Sequence, residues 1–294
     1  MSCVLGTRYS VLGTRYQVIS TLLPIVNLQS SIYNLPVTLS VAIITKDEEA
    51  NLPRTLSSVA GLLRALGGEI IVVDSGSTDR TLEIAAAAGA RIFHEPWKGF
   101  AAQKNSALDK ATCDWVLSLD ADEPLEPAAA GEIRALLASD PPVNGFWIPR
   151  KNFFLGRWIR HGGFYPDRKL RLVRRGSARW VEHGAHPTMA ITGATANLRH
   201  AILHYAYPTL RGYIAHMNSY SSMQAEHLDA ARPRGFHLVN IVVNPVATFF
   251  YNYVVRLGFL DGREGLLLHL YHSAYVSWKY AKVWELSRKN RGGS

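Results

Sequence analysis

Apolar residues in this chain come in short unbroken runs separated by segments of helical spacing. The run LSVAIIT, Leu39 to Thr45, is almost continuously apolar, the pattern of a strand buried on both faces. DEEANLPRTLSSVAGLL follows with apolar residues at helical spacing and carboxylates at its start, where a helix dipole favours negative charge. EIIVVDSGSTD reads as a second buried strand ending in a turn. TLEIAAAAGA predicts a short Ala-rich helix closed by Gly89. RIFHEP predicts a third strand, GFAAQKNSALDKA a helix and DWVLSLDADE a fourth strand. Strands alternating with helices predict an α/β fold with a doubly wound, mostly parallel sheet.

The pattern changes from about Phe146. Arginines and aromatics interleave through FWIPRKNFFLGRWIRHGGFYPDRKLRLVRRGSARW, and Asp167 is the only acid in that stretch. After Ala231 comes RPRGFHLVNIVVNPVATFFYNYVVRLGFL, uncharged between His237 and Arg256 but interrupted by Asn240, Asn244, Pro245 and Asn252. A membrane-spanning helix wants about 20 predominantly apolar residues, and this segment is marginal. Its basic flank and aromatic face fit a helix lying in the membrane interface; the alternative is a buried packing helix. Three parts are expected. Residues 1–37, with a tandem VLGTRY repeat, form a tail outside the main fold. Residues 38–230 form the main domain, its first half ending near 145. Residues 231–294 form an amphipathic helical region.

Composition narrows the class. Hydrophobic residues make up 48% and charged residues 19% of 294, so the chain can bury a core and is not disordered. The net charge of +9 favours partners rich in phosphate, such as an anionic membrane surface, a nucleic acid or a phosphorylated substrate. Two cysteines, Cys3 and Cys113, supply neither a disulfide framework nor a zinc site. A reducing, cytoplasmic setting is the default.

The candidate chemistry gathers at the carboxyl ends of the predicted strands, where open α/β sheets bind ligands. Asp47 and Glu48 follow the first strand, Asp74 to Asp79 the second, and Asp120 to Asp122 the fourth. Strand alternation would send Asp120 and Asp122 to one side. Two carboxylates and little else suit a hard divalent ion, Mg²⁺ or Mn²⁺, that takes its other ligands from water and substrate phosphates. A bland role for Asp122 is to cap the next helix. Lys104 and Asn105 offer a cation and an amide to a phosphate or ribose. His204 approaches the metal or simply packs; packing is the expectation. The arginine-rich stretch, with Arg168, Lys169 and Arg171 at its centre, matches phosphates, either of a saccharide-lipid acceptor or of a nucleic acid.

Four segments, LSVAIITKDEEANLPRTLSSV, EIIVVDSGSTDRTLEIA, GFAAQKNSALDKA and DWVLSLDADE, resemble in order and spacing the signatures of family 2 glycosyltransferases of the GT-A fold. YPDRKLRLVRRG, AILHYAYPTL and GFLDGREGLLLHLYHSAYVSWKYAKVWE resemble the branch that builds bacterial lipopolysaccharide core. The resemblance implies a hexosyltransferase, with glucose as the expected sugar, that moves it from a UDP-sugar to an inner-core saccharide by inverting, metal-assisted single displacement. A polyprenyl-phosphate or capsule acceptor, or an impaired sugar-nucleotide-binding scaffold, is the alternative. The resemblance also implies a peripheral place at the inner face of the plasma membrane and, for the arginine-rich stretch, a saccharide-lipid acceptor and no nucleic acid. By position, Thr45, Asp47 and Glu48 would line the nucleotide, in a family where Asn is common at the Asp47 position. Asp74 would recognise uracil and Lys104 would neighbour the nucleotide. Asp120 would face ribose or metal, and Asp122 would bind the ion that bridges the diphosphate. The branch carries a Val-His-Glu run whose Glu is the general base; here that position is Pro187, after His186. Glu182 is therefore the expected base, with His186 and Asp167 as rivals.

Overall fold

The computed structural model describes residues 37–182, 187–231 and 236–292. The expected tail, 1–37, and His186 therefore lie outside the described residues, save for Val37. Nine strands form one sheet, and seven of them run across it in the order β10 (Thr195–Asn197), β5 (Gly145–Phe154), β7 (Asp167–Arg174), β4 (Trp115–Asp120), β1 (Leu39–Thr45), β2 (Glu69–Asp74) and β3 (Arg91–His94). β1, β2, β3 and β4 are all parallel, as the alternating pattern predicts. Helices α1 (Leu52–Leu66), α2 (Thr81–Ala87) and α3 (Phe100–Asp109) make the crossovers, and α4 (Pro127–Ala138) follows β4.

Period-two alternation divides the strand residues between two layers. Leu39, Val41 and Ile43 of β1 pack with Leu52, Leu56 and Val59 of α1 and Ile133 of α4. Ala42, Ile71, Val73 and Val116 face the other way, toward Ala101 and Leu108 of α3. The second layer is closed by Trp180 and Met189 of a hairpin, β8 (Ala178–Val181) and β9 (Thr188–Ile191). α1 starts five residues after Asp47, so the acids expected in its first turn belong to the loop before it. Pro53 sits in that first turn, where a missing N–H costs nothing.

The second half of the sheet is less regular. β7 (Asp167–Arg174) runs antiparallel between β4 and β5 (Gly145–Phe154). The short β6 (Arg157–Trp158) turns back on β5. β10 (Thr195–Asn197) and β11 (Ile202–Tyr207) pair with β5 in parallel. α5 (Leu210–Ala231) and α7 (Gly262–Gly292) then pack together. Phe154, Ile159, Tyr213, Met217 and Leu268 form a third core that spans the expected boundary near residue 231.

Between these helices lies a segment with its polarity reversed. A π-helical turn (Val239–Val243), α6 (Asn244–Phe250) and a second π-helical turn (Tyr251–Val255) lead into a 3₁₀ turn (Gly258–Asp261). Val239, Val242, Val243, Val246, Phe250 and Val254 are all exposed and share one stripe. Asn240, Asn244 and Asn252 are half-buried. Asn244 Nδ2 donates to Asn240 Oδ1 at 3.0 Å, and Ser277 of α7 donates to the Ile241 carbonyl at 2.8 Å. No described helix is long and apolar enough to cross a membrane.

Candidate active site

Three strand tips meet at one edge. β1 lies between β2 and β4 and pairs Thr45 with Asp74 and Ile44 with Asp120. Beyond β1, Asp47 adopts φ 54°, a left-handed conformation that Asp and Asn tolerate best among side-chain-bearing residues. That accounts for an Asn or Asp at this position. Its Oδ1 accepts from the Thr78 N–H at 2.7 Å, which ties the first loop to the second. The Glu48 N–H donates to Thr81 Oγ1 at 2.7 Å. Glu48's own carboxylate accepts from Asn51 and is raised by burial, with Asp120, Asp79 and Asp47 adding to the effect.

Asp74 is fully buried. Its carboxylate accepts from the N–H groups of Gly76 and Ser77 at 2.9 and 3.0 Å, from Ser77 Oγ at 2.5 Å and from Thr45 Oγ1 at 3.2 Å. Burial alone would raise its pKa, but these hydrogen bonds outweigh burial and hold it low. The carboxylate is thus an ionised, acceptor-only anchor that shapes the Ser75–Thr78 turn.

β4 ends at Asp120, so Asp122 is not on the strand as alternation assumed. The chain turns: the Glu123 N–H donates to the Asp120 carbonyl at 3.0 Å, and the Asp120 N–H donates to Glu123 Oε2 at 3.1 Å. The helix after it begins at Pro127, so Asp122 does not cap it either. The turn sends the two aspartates into opposite surroundings. Asp120 accepts from Lys104 Nζ on one oxygen and from Arg171 at 2.8 Å on the other. The charges of Arg171 and Lys104 outweigh its burial and hold it deeply ionised. Glu123 is fully buried and paired with Arg171 at 2.7 Å and Arg150 at 3.0 Å.

Among the described residues Asp122 has no such partner. Burial and the charges of Glu123, Asp120 and Glu48 push its pKa up to about 7. Its nearest basic group is His204 of β11, whose Nε2 lies 3.5 Å from Asp122 Oδ2. Burial, aided by the charge of Arg150, pushes His204 down to about 4, so the ring is neutral at pH 7. His204, expected to pack, is half-buried with its ring set beside Asp122.

The structure disperses the other expected residues. Asn105 spends its amide in both directions on the Trp180 backbone, accepting at 2.9 Å and donating at 2.8 Å, so it anchors β8. Arg171, expected among acceptor contacts, lies buried under Asp120 and Glu123 instead, because β7 turns its side chain into the sheet edge. Trp180 stacks beneath both cations: Lys104 Nζ is 4.5 Å and the Arg171 guanidinium 5.3 Å from its ring. Arg168 is exposed and donates to the Leu198 carbonyl at 3.3 Å; Lys169 pairs with Asp167 at 2.9 Å. Asp167 also accepts from Arg150 at 2.6 Å; burial is outweighed by these cations, which hold its pKa low. A proton acceptor so paired is a weak one. Glu182 is exposed, and its Oε1 accepts from the Ala101 N–H at 3.3 Å, at the N-terminus of α3.

Glu123 stands in the acidic DWVLSLDADE run and Arg150 in the arginine-rich stretch, yet nothing in one sequence shows that Glu123 meets Arg150 and Arg171.

Two donors, Asp122 and His204, fit a divalent ion that finishes its shell with water and phosphate. Two oxygen and nitrogen donors on their own are too few for a protein-only cage, and among the described residues no group of three or more His, Cys, Asp or Glu could hold a metal.

Comparison with known proteins agrees with this architecture. Residues 40–198 match the family described as glycosyl transferase family 2. The lipopolysaccharide core biosynthesis glycosyltransferase LpsC of Rhizobium meliloti (strain 1021) is 32% identical over 261 residues, which span 84% of this chain and 92% of LpsC. The uncharacterized glycosyltransferase RT0209 of Rickettsia typhi is 28% identical, over 86% of this chain and 89% of its own length. Among solved structures, the mannosyltransferase PcManGT of Pyrobaculum calidifontis, in complex with GDP-Man and Mn²⁺, shares the fold with a TM-score of 0.51. The alignment is 17% identical and covers 84% of this chain and 87% of that one. With its family matched over more than half its length and a relative this similar over nearly all of it, the chain belongs to glycosyl transferase family 2 and is a transferase.

Proposed function

We propose that the enzyme moves a hexose, glucose in the first instance, from a UDP-sugar to a hydroxyl of a lipopolysaccharide inner-core saccharide, with inversion. The observation that carries the reading is Asp122: a carboxylate crowded by three others, without a cationic partner among the described residues, and facing a neutral imidazole at 3.5 Å. A site of this kind attracts a cation. Similarity to LpsC supports the acceptor class, and the Mn²⁺ and nucleotide sugar bound by PcManGT are consistent with the donor class.

In this reading Asp122 and His204 Nε2 hold a Mg²⁺ or Mn²⁺ ion, which when bound supplies charge stabilisation to the leaving diphosphate. The remaining steps belong to the chain. Asp120, fixed by Lys104 and Arg171, faces the ribose without rearranging. Asp47 and Glu48, tied to the Thr78–Thr81 turn, shape the nucleotide wall. Thr45 and Asp74 set the turn against which the uracil lies. Glu182, at the N-terminus of α3, takes the proton from the acceptor hydroxyl, in place of the glutamate that Pro187 replaces. Arg168 and Lys169 meet acceptor phosphates at the mouth of the site. The exposed Val239–Val254 stripe, with Arg256 and Arg263 exposed near its end, lies in the headgroup layer of an anionic membrane and brings the site to a lipid-anchored acceptor.

The test is a screen of nucleotide sugars against purified core lipopolysaccharide, with and without Mn²⁺, following release of the nucleotide. Transfer from UDP-glucose that requires Mn²⁺ is the expected result. Transfer to a polyprenyl phosphate with none to the core saccharide would replace the acceptor. Glu182→Gln should lower turnover far more than UDP affinity; equal losses in both would make Glu182 a cap for α3 and nothing more.

A further inference from the structure

His204 and Asn152 face each other across β11 and β5, as direct partners in the register. His204 Nδ1 lies 2.8 Å from Asn152 Oδ1. The orientation of that amide is not free. Its Nδ2 lies 3.2 Å from the Phe164 carbonyl and 3.3 Å from Asp167 Oδ2, and both of these atoms can only accept. Rotating the amide would set its oxygen against two other oxygens and lose both bonds. Oδ1 must therefore face the ring, and since Oδ1 only accepts, Nδ1 must carry the hydrogen. In the neutral ring the second nitrogen is then bare. That bare atom, Nε2, faces Asp122.

We propose that Asn152 is a positioning residue that fixes the His204 tautomer with the hydrogen on Nδ1, leaving the Nε2 lone pair turned toward Asp122. The assignment rests on the metal reading of Asp122 and His204 given above and adds the residue that prepares the ligand. Asp167 completes the chain. Arg150 reaches it through Nε at 2.9 Å and a terminal nitrogen at 2.6 Å, and Lys169 at 2.9 Å. Held in this way, Asp167 remains an acceptor and keeps Asn152 turned. The acid expected as a rival base thereby orients the site instead of taking a proton in it. Partners of this kind behind a metal-ligating histidine are worth roughly 10–100-fold in metal affinity.

The test begins with the metal-free protein, labelled with ¹⁵N on histidine and assigned with His204→Gln. Imidazole ¹⁵N spectra should show Nδ1 protonated and Nε2 bare in the wild type. Asn152→Leu, which removes the acceptor, should mix the tautomers; Asn152→Asp, which keeps an oxygen toward Nδ1 and sets its second oxygen, protonated, against Asp167, should keep the hydrogen on Nδ1. Mn²⁺ binding in the presence of UDP, followed by electron paramagnetic resonance, should weaken about 10–100-fold in Asn152→Leu and much less in Asn152→Asp. A wild-type ring protonated on Nε2, or an Asn152→Leu ring with an unchanged tautomer, overturns the proposal. If Asn152→Leu does not fold, the wild-type and Asn152→Asp spectra decide the tautomer. Should the tautomers behave as expected while His204→Gln binds Mn²⁺ like the wild type, the tautomer assignment stands and the metal reading falls.

Discussion

The strand-tip site and the Val239–Val254 segment each leave something unbalanced, and the kinds differ. At the site the imbalance is charge. Asp120, Glu123 and Asp167 are matched by Lys104, Arg171, Arg150 and Lys169, but Asp122 stands among the acids with a neutral ring beside it. In the C-terminal segment the imbalance is apolar area: six large side chains point outward while the asparagines turn in. The residues that a fold leaves uncompensated indicate the chemistry it awaits. By this argument one region awaits a cation with a pyrophosphate and the other a lipid surface. Each half of the contrast can be broken separately.

The strongest test is of the charge that is balanced. Arg171 holds two carboxylates, one of them fully buried, while its Nε and one terminal nitrogen find no acceptor among the described residues. Arg171→Met would leave Asp120 with Lys104 and Glu123 with Arg150 alone. Breaking a buried pair by removing one partner costs about 3–5 kcal/mol. Urea unfolding should register a loss of that order. A stability equal to wild type would mean that the acids are not bound by their own cations, and the contrast between Asp120 and Asp122 would disappear.

The uncompensated carboxylate comes next. Asp122→Ala should lower turnover by on the order of 10²–10³, the cost of losing one preorganised electrostatic contact to the leaving group. Mn²⁺ binding should be lost with it while the thermal midpoint holds or rises, because a carboxylate crowded by like charge has been removed. Unchanged turnover together with unchanged Mn²⁺ binding would place the cation elsewhere.

How much of this was legible in the sequence follows from the distance between partners. The parallel half was readable because its strands are buried on both faces and its helices carry a local period; Leu39, Val41 and Ile43 declare a face without reference to any other segment. The strand-tip location was readable because short polar runs ended each apolar one. The pairing was not. Asp120 and Asp122 look equivalent two residues apart, and only the turn at Ala121, with Thr55 donating to its carbonyl at 2.7 Å, separates them. Arg171 and Arg150 reach Glu123 from strands whose order is 4-7-5, a connection that no local pattern encodes. The strands β5 to β11 were hidden because arginines and aromatics obscure their alternation. The segment was legible as a run too interrupted to span a membrane and suited to an interface, but which of its residues face outward was not, since that direction depends on α7.

For the apolar imbalance, Val246→Glu and Phe250→Glu are the informative changes. Burying one such side chain contributes about 1.5–3 kcal/mol. Each variant should shift sedimentation with vesicles containing anionic lipid by roughly 10–100-fold in partition coefficient, with folding and turnover on a soluble acceptor unaffected. Equal partition of wild type and both variants would leave the stripe without a membrane role and return the segment to simple packing.

The smallest effect sharpens the comparison inside the site itself. Asp122 has its folded pKa raised to about 7, so its contribution to stability is complete at low pH and is lost as pH rises through 7. His204 has its folded pKa lowered to about 4, so its contribution is complete above the ordinary histidine range and is lost as pH falls toward 4. Between about pH 4.5 and 6.5 the two slopes are opposite, each at most about 1.4 kcal/mol per pH unit, and they largely cancel in the wild type. Removing one member should expose the other. Relative to wild type, Asp122→Asn should gain stability as pH rises through that window, and His204→Gln should lose it. Urea midpoints measured at pH 5, 6 and 7 give the sign directly. Parallel profiles for all three proteins would mean that Asp122 titrates with the ordinary surface carboxylates, and the charge imbalance on which the cation reading depends would be gone.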